Sequence, residues 1–260
     1  MSFPEISVVV PAYNSGKYIR QCLDSIISQT YPDWETIIVL APSTDNTMDI
    51  LRGYFKEPRI KIIGENSKSN CATARNRGFS ESKGRYLYFL DADDWLEPKC
   101  FETMFGVLQK RPLLSWCVNQ QVAHWDTGRT VLLDKIPGTH SGIGGIGGIL
   151  FRKECLEDIK KKSGHLFNEN LNHTDDGDLI LRARRYSCEM VPAILSHYRW
   201  NEEGLTANTP WLEQEWYMLK ILISNNAWDL IPGHLMEAGL DLVNRTFGID
   251  IVKIKKGLWG

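Results

Sequence analysis

The chain has 260 residues, of which 43% are hydrophobic and 24% are charged, a composition typical of a globular protein rather than a disordered or fibrous one. Its length suits one large domain, or one domain with a small appendage. The formal net charge of −2 excludes the broad positive field with which dedicated nucleic-acid-binding proteins hold a phosphate backbone, so we expect no nucleic-acid partner.

The cysteines and the apolar runs indicate the compartment. Six cysteines are spread along the chain with no Cys-X-X-Cys pair, which indicates reduced thiols in a core rather than a zinc site. The first residues lack a basic leader, and no apolar run approaches the ~20 residues that a membrane helix needs. We therefore predict a cytoplasmic protein with at most peripheral membrane contact.

Four short apolar runs alternate with amphipathic stretches over the first ninety residues. The runs lie at residues 6–10, 36–40, 60–63 and 86–90. Each is apolar at nearly every position, which is typical of a strand buried on both faces. Ser43 and Asp45 offer N-caps for a helix that continues to Phe55, and another helix is predicted over 72–82. The alternation predicts an α/β fold with a mainly parallel sheet flanked by helices.

Ligands of such sheets bind at the carboxyl ends of the strands, so the segments directly after the strands are the candidates for a functional site. None of them carries a glycine-rich phosphate loop, which argues against a dinucleotide-binding or P-loop protein. Residues 142–147 match Gly-X-Gly-X-X-Gly, but strand and helix stand in the wrong order around them. We interpret this segment as a loop that enters a strand at 149–151; a loop beside an acceptor site is the alternative.

Three carboxylates follow the fourth predicted strand within four residues: Asp91, Asp93 and Asp94. Such crowding is unfavourable unless a cation or solvent relieves it. Hard oxygen ligands suit Mg²⁺ or Mn²⁺, and Mg²⁺ is commonly held by one or two carboxylates together with substrate phosphates. The position at a strand end favours a metal shared with a nucleoside diphosphate over the alternative, a solvated Asp-rich turn.

A second acidic cluster, Asp-Asp-Gly-Asp at 175–178, precedes an apolar stretch with helical spacing. Carboxylates at a helix N-terminus are stabilised by the helix dipole, so capping by Asp175 or Thr174 is one interpretation. Three carboxylates exceed what capping requires. The second interpretation is a general base that acts on a hydroxyl group while a metal holds the leaving phosphate.

Five segments occur together in the order and spacing of one known enzyme family. They are residues 7–14, 71–78, 89–94, 175–178 and 197–199. Through them the chain resembles the family-2 glycosyltransferases over roughly residues 5–206. The resemblance implies a GT-A fold and the inverting transfer of a sugar from a nucleotide-diphosphate donor to a hydroxyl group of a glycan or lipid-linked acceptor, in cell-surface polysaccharide or glycoconjugate synthesis. We assign residues 1–206 to the GT-A domain and predict a small C-terminal helical extension, 207–260, packed on it.

The resemblance also implies roles by position. The implied donor-nucleotide-binding residues are Pro11, Ala12, Tyr13, Asn14, Arg75, Asn76, Asp91, Ala92 and Arg199. Among them Tyr13 would stack on the base, Asp91 would face the ribose and Arg199 would lie near the phosphates. Asp93 would ligate the Mn²⁺ or Mg²⁺ that bridges the diphosphate. Asp176 would be the catalytic base.

Two segments depart from the family pattern. After the second strand the family carries a string of the type Asp-Asp-Gly-Ser-Thr-Asp, whereas residues 40–45 are Leu-Ala-Pro-Ser-Thr-Asp. The carboxylate that commonly reads the base is absent, so uridine is the first expectation for the donor and thymidine and guanosine are alternatives. Two residues after Arg199 the family often has His, where this chain has Asn201, which alters a candidate metal or phosphate contact. His197 is the candidate substitute for that contact, and a packed or surface histidine is the alternative.

Two other classes of protein stay open. A catalytically degenerate relative would bind a nucleotide sugar without turnover, and the altered segment 40–42 motivates this alternative. A nucleotidyltransferase that makes sugar nucleotides would share the α/β class and a metal. It would also need a glycine-rich basic signature after the first strand, where residues 12–15 are Ala-Tyr-Asn-Ser.

Overall fold

The computed structural model describes residues 3–66, 70–133, 146–171 and 174–200. The predicted extension 207–260, the domain boundary at 206, Asn201 and most of the glycine-rich segment lie outside the described residues. The domain division therefore stays a prediction.

Strands and helices alternate over the first ninety residues and follow a less regular order after them. The strands are β1 (Ile6–Ala12), β2 (Trp34–Leu40), β3 (Ile60–Gly64), β4 (Tyr86–Phe89), β5 (Trp95–Leu96), β6 (Trp116–Trp125), β7 (Thr130–Leu133), β8 (Ile149–Arg152) and β9 (Cys188–Trp200). The helices are α1 (Ile19–Ile27), α2 (Thr47–Arg52), α3 (Cys71–Glu81), α4 (Cys100–Lys110), α5 (Lys153–Ser163) and α6 (Asp175–Ala183), with a short 3₁₀ turn at Ile146–Gly148. The four strands predicted in the first ninety residues and the strand after the glycine-rich segment are confirmed.

One mixed sheet runs through the structure in the order β3-β2-β1-β4-β8-β6-β9-β5, with β7 on β6. Its first part is parallel, as predicted: β1 pairs with β2 and β4, and β2 pairs with β3. The later part adds antiparallel pairs, because β8 runs against both β4 and β6. Strands β6 and β9 are parallel. The reversal between β4 and β8 divides the sheet into two halves.

Helices cover both faces of this sheet. Strand β1 illustrates the arrangement, because Val8 and Val10 belong to a core cluster that includes residues of α1 and α4. Val9 points the other way, into a cluster with residues of α5 and α6. Four of the six cysteines are buried, and all six are free thiols. A strand that contacts core on both faces needs an uninterrupted apolar run, which is the pattern seen in the sequence.

The second helix is shorter than its sequence predicts. It ends at Arg52, so Phe55 lies beyond it and is 59% exposed. Asn46 occupies the N-cap position without a side-chain cap bond, whereas Asp45 Oδ1 accepts a hydrogen bond from the Thr47 backbone N–H at 3.0 Å. Ser43, the other predicted cap, accepts from the Asn14 backbone N–H instead. The chain uses these side chains to join two loops rather than to lengthen a helix.

Candidate active site

The loop after β1 is held by the loop after β2. Asn14 adopts a left-handed backbone conformation with φ of 46°, which Asn tolerates better than most side chains. Its backbone N–H donates to Ser43 Oγ at 3.1 Å, and its Oδ1 accepts from the Thr44 N–H at 2.8 Å. The Gly16 N–H donates to Asp45 Oδ2 at 2.8 Å. These bonds fix the position of the implied nucleobase loop.

The residues that the resemblance assigns to the nucleobase lie at the carboxyl end of β1. Pro11 and Ala12 are buried, whereas Tyr13 is 41% exposed. The backbone oxygen of Ala12 accepts from the Ala41 N–H at 2.9 Å, so the segment that lacks the base-reading carboxylate lies directly beside this position. The Leu40 oxygen accepts from the Glu65 N–H at 2.9 Å. An apolar side chain and backbone groups therefore stand where the family's carboxylate is expected.

The turn after β4 carries the first acidic cluster. The Asp94 N–H donates to the Asp91 oxygen at 3.1 Å, and Ala92 between them is buried. The Asp91 side chain is 29% exposed, whereas Asp94 is 3% exposed. Asp94 Oδ1 accepts from the Arg199 backbone N–H at 2.8 Å. Asp94 is therefore buried and bonded to β9, whereas Asp91 and Asp93 are partly exposed.

Burial and mutual repulsion raise the pKa values of these carboxyls. Burial and the nearby Asp91 raise the pKa of Asp93 to about 6. Burial, Asp93 and Asp91 raise the pKa of Asp94 well above its ordinary value. A divalent cation at Asp93 would relieve this repulsion. Within the described residues, no group of three or more His, Cys, Asp or Glu side chains is arranged to hold a metal ion.

Arg199 lies against the acidic turn. Its Nε donates to the Asp93 backbone oxygen at 3.1 Å, and its Nη2 donates to Gln21 Oε1 at 2.8 Å. The guanidinium carbon stands 4.6 Å from the centre of the Tyr18 ring and 4.8 Å from that of Trp95, distances typical of cation–π contacts. These contacts place a fixed positive charge next to Asp93.

The second acidic cluster lies in the first turn of α6. Thr174 occupies the N-cap position without a side-chain cap bond, and Asp175 is an ion-pair partner of Arg75, so capping does not explain this cluster. Asp178 is paired with Arg182, whose Nη2 lies 2.6 Å from its Oδ2. Asp176 is partly exposed and accepts from the Gly177 N–H at 2.8 Å. Burial among protein atoms and the adjacent Asp175 raise its pKa to about 6, against the opposing effect of Arg75.

Arg75 brings the two acidic clusters together. Its Nη2 donates to Asp91 Oδ1 and its Nη1 donates to Asp175 Oδ2, each at 2.6 Å. Burial alone would lower the pKa of Arg75, but the two carboxylates raise it above its ordinary value, so the side chain is a permanent cation. Asn76 holds the chain before α6, because its amide group donates to the Phe167 oxygen at 2.9 Å and accepts from the Phe167 N–H at 3.0 Å.

The structure also shows a cluster that sequence reasoning missed. His197 Nε2 lies 2.7 Å from Glu97 Oε1, its Nδ1 lies 2.9 Å from His124 Nε2, and its ring stacks on Trp95 with 4.9 Å between ring centres. Burial, His197 and Arg199 lower the pKa of His124. Both nitrogens of His197 are engaged here, although the sequence suggested a metal or phosphate contact for it. The pairing of β9 with both β6 and β5 brings these side chains together, and no local sequence pattern shows those pairings.

No helix within the described residues is both long enough and apolar enough to cross a lipid bilayer.

Solved structures share this architecture. The structure of S. aureus TarS 1-349 in complex with UDP-GlcNAc superposes with a TM-score of 0.70 and 21% identity, covering 94% of this chain and 73% of that chain. The mannosyltransferase PcManGT from Pyrobaculum calidifontis, in complex with GDP-Man and Mn²⁺, gives a TM-score of 0.64 and 19% identity, covering 89% of this chain and 66% of that chain. These similarities confirm the predicted GT-A fold.

Sequence comparison gives the family. Glycosyltransferase GlyG of Streptococcus pneumoniae serotype 4 is 37% identical over 107 residues, which are 41% of this chain and 36% of GlyG. The chain thus matches little more than a third of this curated relative's length. The family model described as "Glycosyl transferase family 2" matches residues 7–174, which is more than half of the chain. The predicted family is confirmed: this chain belongs to glycosyl transferase family 2.

Proposed function

We propose that this chain transfers a sugar from a nucleotide-diphosphate donor to a hydroxyl group of a glycan or lipid-linked acceptor, with inversion at the anomeric carbon. The observation that carries the proposal is the Arg75 bridge, which puts Asp91 and Asp175 within 2.6 Å of one guanidinium group. A donor-binding turn and a candidate base thereby share one site. We place the reaction in cell-surface polysaccharide or glycoconjugate synthesis, in the cytoplasm with at most peripheral membrane contact.

The proposed donor site follows the carboxyl ends of β1 and β4. Tyr13, which is 41% exposed, would stack on the nucleobase, and residues 11–12 and Asn14 would lie around that nucleobase. Asp91, partly exposed beside this loop, would accept hydrogen bonds from the ribose. Arg75 and Asn76 border this region, and Ala92 is the small residue between the acidic side chains. The fixed charge of Arg199 would lie near the phosphates.

Asp93 fits a divalent cation shared with the donor. Its carboxyl is partly exposed and has a raised pKa because it is crowded, and carboxylate with phosphate oxygens is the usual ligand set of Mg²⁺. Mn²⁺ accompanies GDP-Man in the mannosyltransferase structure, which supports the same choice of ion here. When bound, such an ion would neutralise negative charge that develops on the departing diphosphate.

Asp176 is the proposed base. In an inverting transfer the acceptor oxygen forms a bond to the anomeric carbon as the bond to the diphosphate breaks, and one carboxylate takes the hydroxyl proton. A general base works best when its pKa lies near the working pH, and the pKa of Asp176 is raised to about 6. Asp175 forms an ion pair with Arg75, and Asp178 forms one with Arg182. Asp176 is therefore the carboxylate of this cluster that is suited to the role of base.

Binding is tested by thermal unfolding of the full chain with UDP, TDP, GDP and their sugar conjugates, each with and without Mn²⁺. Because a ligand that binds only the folded state stabilises it by about 2.7 kcal/mol at a hundredfold excess over Kd, we expect a clear metal-dependent rise in Tm with one base. UDP is the first expectation, and the loss of the acid at 40–42 keeps TDP and GDP in the panel. If none of the nucleotides raises Tm, the proposal is contradicted.

Turnover is tested with Asp176→Asn. Loss of the base is expected to reduce release of nucleoside diphosphate by about 10²–10⁴-fold while nucleotide affinity stays unchanged. Glu157→Gln removes an exposed carboxylate from α5 and serves as the matched control. Unchanged turnover in Asp176→Asn would overturn the assignment. Nucleotide binding without turnover in the unmodified chain, across a panel of acceptor glycans, would instead identify the degenerate relative.

A further inference from the structure

Arg75 joins the donor side of the proposed site to the helix that carries the proposed base. Its guanidinium holds Asp91, which follows β4, and Asp175, which begins α6. We infer that Arg75 is a positioning residue, one that fixes Asp176 relative to the bound donor through the carboxylate of Asp175. This inference rests on the proposed function, since it assigns Asp176 to the base.

The geometry requires a planar fork. The Arg75 side chain and that of Asp175 are each 5% exposed, and separate nitrogens of the guanidinium reach the two carboxylates. The Phe167 ring lies 5.6 Å from the guanidinium carbon. Arg75 Nε is buried and has no hydrogen-bond partner among the described residues, so the two terminal nitrogens carry the polar contacts of this group. A lysine ammonium is a single point charge and cannot reproduce this two-sided contact.

Helix α3 serves as the platform for the bridge. Asn70 caps it by accepting from the Thr73 N–H at 2.9 Å, and the same side chain donates to the Glu169 oxygen at 2.8 Å. The side-chain amide of Asn76 donates to the backbone oxygen of Phe167 and accepts from its backbone N–H. The segment before α6 is therefore tied to α3 at two points. Arg75 then ties the first residue of α6 itself, and the next residue along the chain is the proposed base.

The charges show why the bridge matters for placement. Without Arg75, the carboxylates of Asp91 and Asp175 would face each other without a cation between them, in a region that already contains Asp176. Like charges in a poorly solvated site repel, so the first turn of α6 would move away from the turn after β4. That displacement separates the base from the anomeric carbon, even though the rest of the fold is intact.

The first test compares Arg75→Lys with the matched change Arg77→Lys in the full chain. Arg77 lies on the exposed side of the same helix, where it pairs with Glu81 at 3.6 Å. A misplacement near 1 Å reduces turnover by about 100-fold, so we expect kcat of Arg75→Lys to fall by about that factor while Arg77→Lys remains at the wild-type rate. The measurement is nucleoside diphosphate release from the donor that stabilises the unmodified chain. An unchanged kcat in Arg75→Lys would overturn the inference.

A second pair of variants separates positioning from simple stabilisation. Arg75→Gln leaves a buried carboxylate without its cation, and adding Asp175→Asn removes that charge. We expect the double variant to regain most of the Tm lost in Arg75→Gln but to keep a kcat about 100-fold below wild type, since nothing then links α6 to Asp91. Recovery of kcat together with Tm would show that the ion pair only stabilises the fold, and would overturn the positioning role.

The proposed function and the positioning role of Arg75 are refuted by different results. If the unmodified chain releases no nucleoside diphosphate in the presence of acceptor glycans and Mn²⁺, the proposed function falls and the positioning role falls with it. If the unmodified chain turns over and Asp176→Asn does not, while Arg75→Lys turns over normally, the base assignment holds and only the role of Arg75 is overturned.

Discussion

Asp93 and Asp176 both have a pKa raised to about 6, and the neighbours that raise it differ. For Asp93, burial acts together with the charge of Asp91, whereas for Asp176 burial acts together with Asp175. Arg75 opposes the rise at Asp176, and Arg199 and Arg75 oppose it at Asp93. The same physical crowding can thus prepare one carboxylate to bind a cation and another to accept a proton.

The raised pKa of Asp176 predicts the pH dependence of turnover. A general base acts only when it is ionised, so kcat is expected to fall about tenfold per pH unit below about pH 6 and to be level above it. The measurement is kcat at saturating donor and Mn²⁺ across the acid range, with nucleotide affinity measured separately at each pH. A kcat that is level down to pH 5 would contradict a base with this pKa.

At the scale of residues, the sequence shows where the acidic clusters lie along the chain but not which side chains they contact. The acidic turn could be located because three carboxylates directly follow an apolar run. The bond between Arg75 and Asp175 joins residues 100 positions apart, and no local pattern carries such a distance. His197 shows the same limit, since its contacts with His124 and Glu97 depend on which strands become neighbours.

Among the elements, the loops after β1 and β2 act as one unit. Asp45 accepts from the Gly16 N–H in one loop and from the Thr47 N–H at the start of α2. Burial alone would raise the pKa of Asp45, but hydrogen bonds from the Thr47 hydroxyl and from these two N–H groups lower it below its ordinary value. The carboxylate therefore supports both the helix and the backbone that precedes it. These bonds hold the loops after β1 and β2 in place without a glycine-rich segment.

Asp45→Ala tests this joint role. Loss of a carboxylate that bonds the first turn of a helix costs about 0.5–2 kcal/mol, and here the loop at Gly16 also loses its partner. We expect a lower Tm and weaker nucleotide binding. Asp49→Ala is the control, because Asp49 is exposed on the same helix and pairs only with exposed Arg52 among the ion pairs found there. Unchanged nucleotide affinity in Asp45→Ala would mean that the loop holds its shape without this bond.

The strands in the parallel half of the sheet could be predicted from the sequence, whereas most of those in the other half could not. Strands β1, β2 and β4 lie between two helical layers, which requires continuous apolar runs. Strand β6 instead places Asn119 and Gln121 inside the sheet, 1% and 3% exposed, and Ser196 Oγ donates to Asn119 Oδ1 at 2.8 Å. Polar residues that satisfy each other across neighbouring strands do not produce the alternation that identifies a strand in sequence.

Across the whole molecule, the proposed site lies where the two halves of the sheet meet. The parallel half contributes the loops after β1, β2 and β4. The other half contributes Arg199 at the end of β9, whose backbone N–H donates to Asp94, while α6 brings the second acidic cluster. The result is a concentration of negative charge that the folded protein tolerates through Arg75, Arg199 and a proposed cation.

Such a site should lower the stability of the free protein. A carboxyl whose pKa is higher in the folded state than in the unfolded one binds its proton more tightly when folded, so stability is lost as the pH rises from about 4 to about 6. At neutral pH, Asp93→Asn is therefore expected to raise the stability of the free chain by on the order of 1 kcal/mol, after allowance for partial exposure.

The same substitution should remove the response to metal. In the unmodified chain, Mn²⁺ together with the nucleoside diphosphate that binds best is expected to raise Tm further than the nucleotide alone, because the ion joins Asp93 to the phosphates. Asp93→Asn should begin from a higher Tm and show no additional rise with Mn²⁺. Asp49→Asn, an exposed change outside the site, should behave as the unmodified chain does. A full Mn²⁺ response in Asp93→Asn would move the metal to other ligands, whereas a lower starting Tm would show that Asp93 stabilises the free fold.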